Sequence, residues 1–382
     1  MTETVKGFND FTGQDAIKRE EIRKILVRNF QLYGFEPAET PIVEYEEFVK
    51  GNNQSDEAVS SIFKLQDRGQ RKLALRYELT FQLKRISQNK KMPYKRFQIG
   101  YVFRDEPTSS NRFRQFTQCD IDIVGSSPNE EAEIFSLIKR IFDDLNIDSV
   151  VYFNNRRLMN EILDKEGIGQ KEEVIREIDK LDKLDEKDIK ENLKKYKAEK
   201  VLSIFKKPSS FFKKYDSYKE IEELMKLCKT YGVKPTFQPT LARGLSYYNG
   251  TVIEVKTKEF KETIAAGGSY LINNIQSTGF SFGLERISQL AKIPVNERRV
   301  VIISIGKDKE AIATAEKLRD EGIGCMVMFK ISKALEYANS YSVPYVIFLG
   351  EEEAKKKKLK LRDMKTGKES MLSLKTLIGK LK

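Results

Sequence analysis

Apolar positions near the start of the chain recur at helical spacing. Ile22, Ile25, Leu26 and Phe30 share one face, so residues 15–33 are predicted helical, with Gly34 as the stop. Phe35 to Glu44 then reads as extended. Pro37 and Pro41 disfavour helix there and, within a sheet, suit an edge or an interface. Residues 71–85 begin extended (KLALR) and pass into a helix (ELTFQLKRIS). Residues 95–104 and 113–125 are rich in aromatic and β-branched residues and predict two strands. The polar, turn-rich stretch DEPTSSNR separates them. Glu130 to Leu145 is predicted helical, with Asn129 as its N-cap.

The pattern changes at residues 156–230. Lys and Glu dominate, glycines are few and the periodicity is helical, as in an inserted helical module. Strand signals return after Pro239 in TVIEVKT. Ala266-Gly267-Gly268 reads as backbone in close approach to a neighbour, and Phe280 to Leu290 as a strand entering a helix. From Val300 strands and helices alternate: VVIISI, a helix over 308–321, CMVMF, a helix over 331–341, YVIFL. A hairpin with a Thr-Gly turn and a short helix follow. Such alternation predicts a small α/β domain starting at about residue 299. The Lys355–Lys358 run reads as solvated surface.

Composition narrows the chemistry. No apolar run approaches the roughly 18 residues of a membrane span, and the N-terminus lacks a charged-then-apolar leader pattern. A cytoplasmic place of action is the expectation. Cys119, Cys228 and Cys325 lie far apart without a CxxC, which argues against a disulfide framework or a cysteine-based zinc site. The net charge of +12 points toward a polyanionic partner. Residues 299–382 hold 18 basic and 11 acidic side chains, a net +7 in the last fifth of the chain. There is no histidine. That removes Ser-His-Asp and Cys-His catalysis and HExxH zinc sites. An enzyme here must work through arginine, carboxylate, backbone dipoles or bound metal.

Three segments could carry such work. In Phe103-Arg104-Asp105-Glu106 and Arg112-Phe113-Arg114-Gln115-Phe116, a hairpin would bring arginines together with an aromatic face. Arg104 could clamp a phosphate and Phe116 could stack a purine. In GFSFGLER, residues 279–286, small residues permit close backbone approach and Arg286 falls in the first turn of a helix, where anions are favoured. The third segment, Leu241-Ala242-Arg243-Gly244-Leu245-Ser246-Tyr247-Tyr248, is by its physics an ordinary turn. A salt-bridge ladder and plain packing are equally open to the first two.

Taken together and in order, these segments resemble the class II aminoacyl-tRNA synthetases. FRDE with Arg112 and Phe116 looks like motif 2, GFSFGLER like motif 3, and the stretch around Pro41 like the dimer-forming motif 1. LARGLSYYNGTVIE is similar to the signature of the histidyl-tRNA synthetase family, usually LVRGLDYYTGTVFE. The resemblance covers essentially the whole chain, including KGFNDF near the N-terminus.

It implies an α+β fold: the class II antiparallel sheet flanked by helices, a helical insertion and a C-terminal α/β anticodon-binding domain. The expected divisions are 1–155 and 233–298 for the catalytic domain, 156–232 for the insertion and 299–382 for the anticodon-binding domain. The implied reaction activates histidine with ATP and Mg²⁺, then charges tRNA(His). A homodimer without membrane association is the implied state. The alternative is a catalytically inactive, synthetase-like regulatory subunit of histidine biosynthesis.

By position, the resemblance places Arg104 on the α-phosphate, Glu106 near the adenine, Phe116 stacked on it, Arg112 with the ATP, and Arg286 on the distal phosphates. Glu78, Thr80 and Gln118 would bind the α-amino group, and Asp122, Tyr247 and Tyr248 would read the imidazole. Arg243 would sit against the reacting carboxylate and phosphate. No metal tightly held by a protein cluster is implied. The chain departs from the family at Pro107-Thr108, where Arg-Pro is usual, at Ser246, where Asp is usual, and at Ser269-Tyr270-Leu271, where the family carries RYD. These changes point to a divergent branch.

Overall fold

In the computed structural model, the residues described are 3–51, 57–182, 184–243, 247–260, 262–294 and 299–382. The first helix, α1 (Gly13–Leu32), buries Ile22, Leu26 and Phe30 completely. It stops where Gly34 adopts φ +78° and Phe35 N–H returns to the Phe30 carbonyl, the left-handed ending glycine permits. The chain then divides into two compact units. One holds the residues up to Phe11 and Lys18–Ile293; the other holds Thr12–Ile17 and Pro294–Lys382.

An eight-stranded sheet forms the frame of the larger unit. Its strands are β1 (Glu36–Pro37), β2 (Tyr94–Phe103), β3 (Gln115–Val124), β4 (Val150–Asn155), β5 (Thr236–Phe237), β6 (Tyr248–Lys256), β7 (Ala265–Ile272) and β8 (Ile275–Gly283). Their spatial order is β1-β2-β3-β8-β7-β6-β4-β5. Only the two-residue strands β1 and β5 pair in parallel; the rest is antiparallel. Side chains alternate between its faces. Phe97, Cys119, Ile121, Ile123, Phe280, Phe282, Ile253 and Phe153 fall on one face, in a single core with α1 and α2 (Pro128–Asp144). The opposite face carries Arg96, Gln118, Asp120, Asp122 and Ser281, all polar. One face of the sheet is therefore structural and the other chemical.

Helices between residues 156 and 230 are amphipathic and pack their apolar stripes onto that same core. Leu158, Ile175, Ile189, Leu202, Phe212 and Cys228 belong to it. A second, three-stranded antiparallel sheet joins Val43–Tyr45, Lys72–Leu75 and Lys64–Gln66, with Lys72–Leu75 in the middle.

Two local predictions need correction. The helix expected from Glu78 onward is confined to Leu83–Ile86. The preceding carbonyls are used by side chains instead: Tyr77 O accepts from Arg104 Nε and Leu79 O from Arg96 Nη2. The N-cap of α2 is Ser127 and not Asn129. Ser127 is followed by Pro128 and exchanges hydrogen bonds with Glu130 in a capping box, an arrangement that satisfies two orphan helix donors.

In the smaller unit the strands are β9 (Arg299–Ser304), β10 (Gly324–Met328), β11 (Tyr345–Leu349), β12 (Leu359–Asp363) and β13 (Glu369–Leu372). The order is β10-β9-β11-β12-β13, with the first three parallel and the last two an antiparallel hairpin. Ala311, Ala315 and Leu318 cover one face and Ala334 and Ala338 the other. A further helix, Glu351–Lys356, lies where only a surface charge run is expected. Glu351–Lys355 and Glu352–Lys356 pairs support it.

Candidate active site

The β2–β3 hairpin builds the first wall. Phe103 pairs with Gln115, and Arg104 N–H donates to Arg114 O at 2.9 Å, so the loop leaves the sheet between them. The Arg104 guanidinium lies 5.1 Å from the centroid of the Phe116 ring. Arg112 pairs with Glu106, and Arg114 lies 3.1 Å from Asp105. A strap from the N-terminus holds the base of this loop. Gly7 O accepts from Arg114 N–H and Gln115 N–H at 2.9 and 3.2 Å. Phe8 packs against Phe63 and Phe103. KGFNDF is thus part of the hairpin's foundation.

The second wall comes from the end of the sheet. After β8, Gly283 leads into a short helix, α3 (Leu284–Leu290), and Arg286 Nη1 donates to Thr263 O. Burial pulls Arg286 below the usual arginine range; Glu262 opposes this, while Arg112, Arg104 and Arg243 reinforce it. Four guanidinium groups from separate parts of the sequence therefore act on one region. Such a concentration of positive charge is costly by itself and becomes favourable when an anion is bound.

Arg243 is fixed from several sides. Its Nη1 lies 2.6 Å from Glu254 Oε1 on β6. Burial works against its charge, but Glu254, with Tyr248 and Asp179, outweighs this and raises its pKa. Asn154 of β4 donates to the Pro239 and Leu241 carbonyls, both at 2.9 Å, and Arg156 Nη1 reaches Arg243 O at 3.5 Å. The segment that reads as an ordinary turn is in fact anchored by side chains some 85 residues upstream. Gly244, Leu245 and Ser246 lie outside the described residues, so that signature is seen only at its two ends.

Between the walls, on the chemical face of the sheet, lies a cluster of polar side chains. Glu78 is buried, and Tyr247 OH donates to it at 3.4 Å. Thr80 is half-buried in the same turn. Gln118 Nε2 donates to Ser281 Oγ at 2.9 Å, while its Oε1 is buried without a hydrogen-bond partner among the described residues. Tyr247 and Tyr248 lie together, ring centroids 4.8 Å apart, with Tyr247 edge-on to Tyr270. Burial raises all three phenols, Tyr247 and Tyr270 strongly. Asp122 is held by Arg96, whose Nη2 is 2.6 Å from Oδ2, and by Tyr270 OH on Oδ1. Gly279 is required here: a Cβ would fall 2.1 Å from Asp122 Oδ1.

The structure brings Glu78, Gln118, Asp122, Tyr247 and Tyr248 together, and sets Arg104, Arg112 and Arg243 near enough to Arg286 for their charges to act on it. It also reveals Arg96, Asp120 and Tyr270, none of which is among the expected site residues. Period-two alternation from Gln118 and Asp122 is the signal that finds Asp120. Among the described residues, no group of three or more His, Cys, Asp or Glu is placed to hold a metal ion.

An antiparallel sheet with an arginine-tipped hairpin and an arginine just past its last long strand has the form expected of a class II aminoacyl-tRNA synthetase. Residues 7–287 match the histidyl-tRNA synthetase family, and residues 299–382 match the anticodon-binding domain. A histidine–tRNA ligase of Bacillus cereus is 34% identical over 98% of this chain and 95% of its own length. The crystal structure of histidyl-tRNA synthetase from a Nostoc species superposes with TM-score 0.86 at 24% identity, covering 100% of this chain and 99% of that one. A Bacillus halodurans structure, described as an ATP phosphoribosyltransferase regulatory subunit/histidyl-tRNA synthetase, gives TM-score 0.75 at 19% identity, covering 88% and 96%. The chain belongs to the histidyl-tRNA synthetase family.

Proposed function

We infer that the chain is a histidine–tRNA ligase. It joins histidine to ATP as histidyl-adenylate with release of pyrophosphate, then transfers histidine to the 3′ end of tRNA(His) with release of AMP. The convergence of Arg104, Arg112, Arg243 and Arg286 beside the Glu78–Gln118 pocket carries this reading.

The histidine carboxylate is already ionised at neutral pH, so its attack on the α-phosphorus needs no general base. What limits the step is bringing two anions into line, a task of positioning and charge neutralisation. Arg104 is assigned to the α-phosphate, Arg243 to the carboxylate and α-phosphate, and Arg286 to the distal phosphates. Phe116 stacks the adenine, with Glu106 and Arg112 near it. Glu78, Thr80 and Gln118 receive the α-ammonium group, for which the buried Gln118 Oε1 is an available acceptor. Asp122, Tyr247 and Tyr248 line the imidazole end. Mg²⁺ would arrive on the ATP phosphates, since this ion keeps several waters and uses only one or two protein carboxylates.

The C-terminal unit, with its net positive charge, is the proposed anticodon-reading part. A homodimer through the three-stranded sheet is supported by its exposed Val43, Tyr45 and Leu65 and by the exposed Ile42 just before it. Among the described residues no helix is long and apolar enough to cross a membrane, and the proposed place of action is the cytoplasm. The inactive regulatory alternative leaves both the arginine set and the anticodon-binding domain without a use. Pyrophosphate exchange with each of the twenty amino acids tests the reading. Exchange with histidine alone is expected; none from a folded protein would favour the regulatory role.

A further inference from the structure

Strand β3 presents three polar side chains to the pocket at period two: Gln118, Asp120 and Asp122. The resemblance assigns the imidazole to Asp122, whose Oδ1 accepts from Tyr270 and whose Oδ2 lies in an ion pair with Arg96, 2.6 Å from its Nη2, although Oδ2 has no hydrogen-bond partner among the described residues. Asp120 differs. It is 3% exposed, its Oδ1 has no hydrogen-bond partner, and among the described residues it forms no ion pair, whereas Asp122 is paired with Arg96. In the sheet it stands opposite Gln98 on β2 and Ser281 on β8. The charged and titratable groups facing it are Arg76, Glu78, Arg96, Asp122 and Tyr248. Three of them, Glu78, Asp122 and Tyr248, are among the residues assigned to histidine above.

A buried carboxylate oxygen with nothing to accept from is costly, and in a substrate pocket it is an acceptor awaiting a donor. The neutral imidazole brings one N–H donor. We propose that Asp120 is the specificity-determining side chain that accepts the imidazole N–H, and that Asp122 is a positioning residue that fixes Arg96 and Tyr270 beneath it. This rests on the histidine-activating reading above.

Burial, with Asp122 adding to it, pushes the Asp120 carboxyl up to about 7. The carboxyl is therefore an acceptor close to its titration point, and a bound N–H favours the ionised form. An amino acid without a ring N–H would leave this carboxylate desolvated and unmatched. That penalty excludes apolar competitors of similar size more strongly than shape alone can.

Pyrophosphate-exchange kinetics on the full-length protein test the proposal, with thermal midpoints measured in parallel. Asp120→Asn and Asp120→Ala are expected to raise the KM for histidine about tenfold or more, the loss of one charge-assisted hydrogen bond. The KM for ATP should stay within twofold and the thermal midpoint should not fall. Asp122→Asn should lower the midpoint, because Arg96 loses its partner. If both Asp120 variants keep the histidine KM within twofold, the proposal is overturned. If Asp122→Asn raises that KM at an unchanged midpoint while the Asp120 variants do not, the acceptor is Asp122. Absence of histidine exchange in the unsubstituted protein would instead overturn the underlying functional reading, so the two failures are distinct.

Discussion

Arg19 of α1 and Glu285 of α3 form an ion pair 2.8 Å long, with each side chain only 6% exposed. Glu285 also accepts Thr117 N–H at 3.0 Å through its second oxygen, and Arg19 reaches Thr117 Oγ1 at 3.2 Å. One carboxylate thus ties the first helix, the start of β3 and the helix that carries Arg286. Removing one partner of a buried pair strands the other's charge and costs roughly 3–5 kcal/mol. Glu285→Ala should therefore lower the denaturant midpoint strongly. A double-mutant cycle with Arg19→Ala should be clearly non-additive. Additive effects would mean that the two side chains stabilise the fold independently.

Arg243 and Glu254 form the corresponding pair inside the site, 2.6 Å apart. Arg243→Ala should cut kcat for pyrophosphate exchange on the order of 10²-fold, the scale of losing one preorganised charge donor at a reacting centre. The histidine KM should change far less. Glu254→Gln keeps the guanidinium and loosens its aim, so a smaller fall in kcat is expected. Equal loss in kcat and in binding would assign Arg243 to ground-state binding.

How much of this was readable beforehand depended on whether a residue's role is local. The β2 and β3 strands follow from aromatic and β-branched runs, and Arg104, Arg243 and Arg286 from short motifs. Arg96 does not: on a strand it reads as an exposed ladder residue until its partners Asp122 and Leu79 O are known. Tyr270 meets Asp122 from 148 residues away, a separation that no pattern of spacing encodes. The overlong helix after Glu78 has the same cause, since the competing donors come from Arg96 and Arg104. The missed helix at Glu351–Lys356 was instead local. The Lys355–Lys358 run supplies two of the partners for Glu351 and Glu352 four residues earlier, a pairing that is present in the sequence itself.

Gly7 supplies a test of the N-terminal strap. Its φ is +85°, and a Cβ there would lie 2.9 Å from Arg114 Cγ and from Thr108 Cγ2. A β-branched residue suffers on both counts, backbone and contact. Gly7→Val should raise the KM for ATP several-fold by displacing the loop that carries Glu106 and Arg112, with the histidine KM nearly unchanged. Equal effects on both substrates would indicate general unfolding in place of a local shift.

Asp120 gives the stability of the unliganded protein an unusual pH dependence. Its folded carboxyl titrates at about 7, against an ordinary value of 3.8. Between those limits the folded state holds a proton that the unfolded state has released. Stability is therefore lost as pH rises through this window, the reverse of a salt-bridged carboxylate. The loss is complete above about pH 7 and amounts to a few kcal/mol at most. Asp120→Asn cannot ionise, so it should match the unsubstituted protein near pH 4 and exceed it in stability at pH 8. Denaturant unfolding at the two pH values reads this directly. A variant less stable than the parent at pH 8 would show that ionised Asp120 finds compensating partners in the folded state. The same side chain that destabilises the fold would then have no free capacity for the imidazole N–H, and the stability and specificity arguments would fail together.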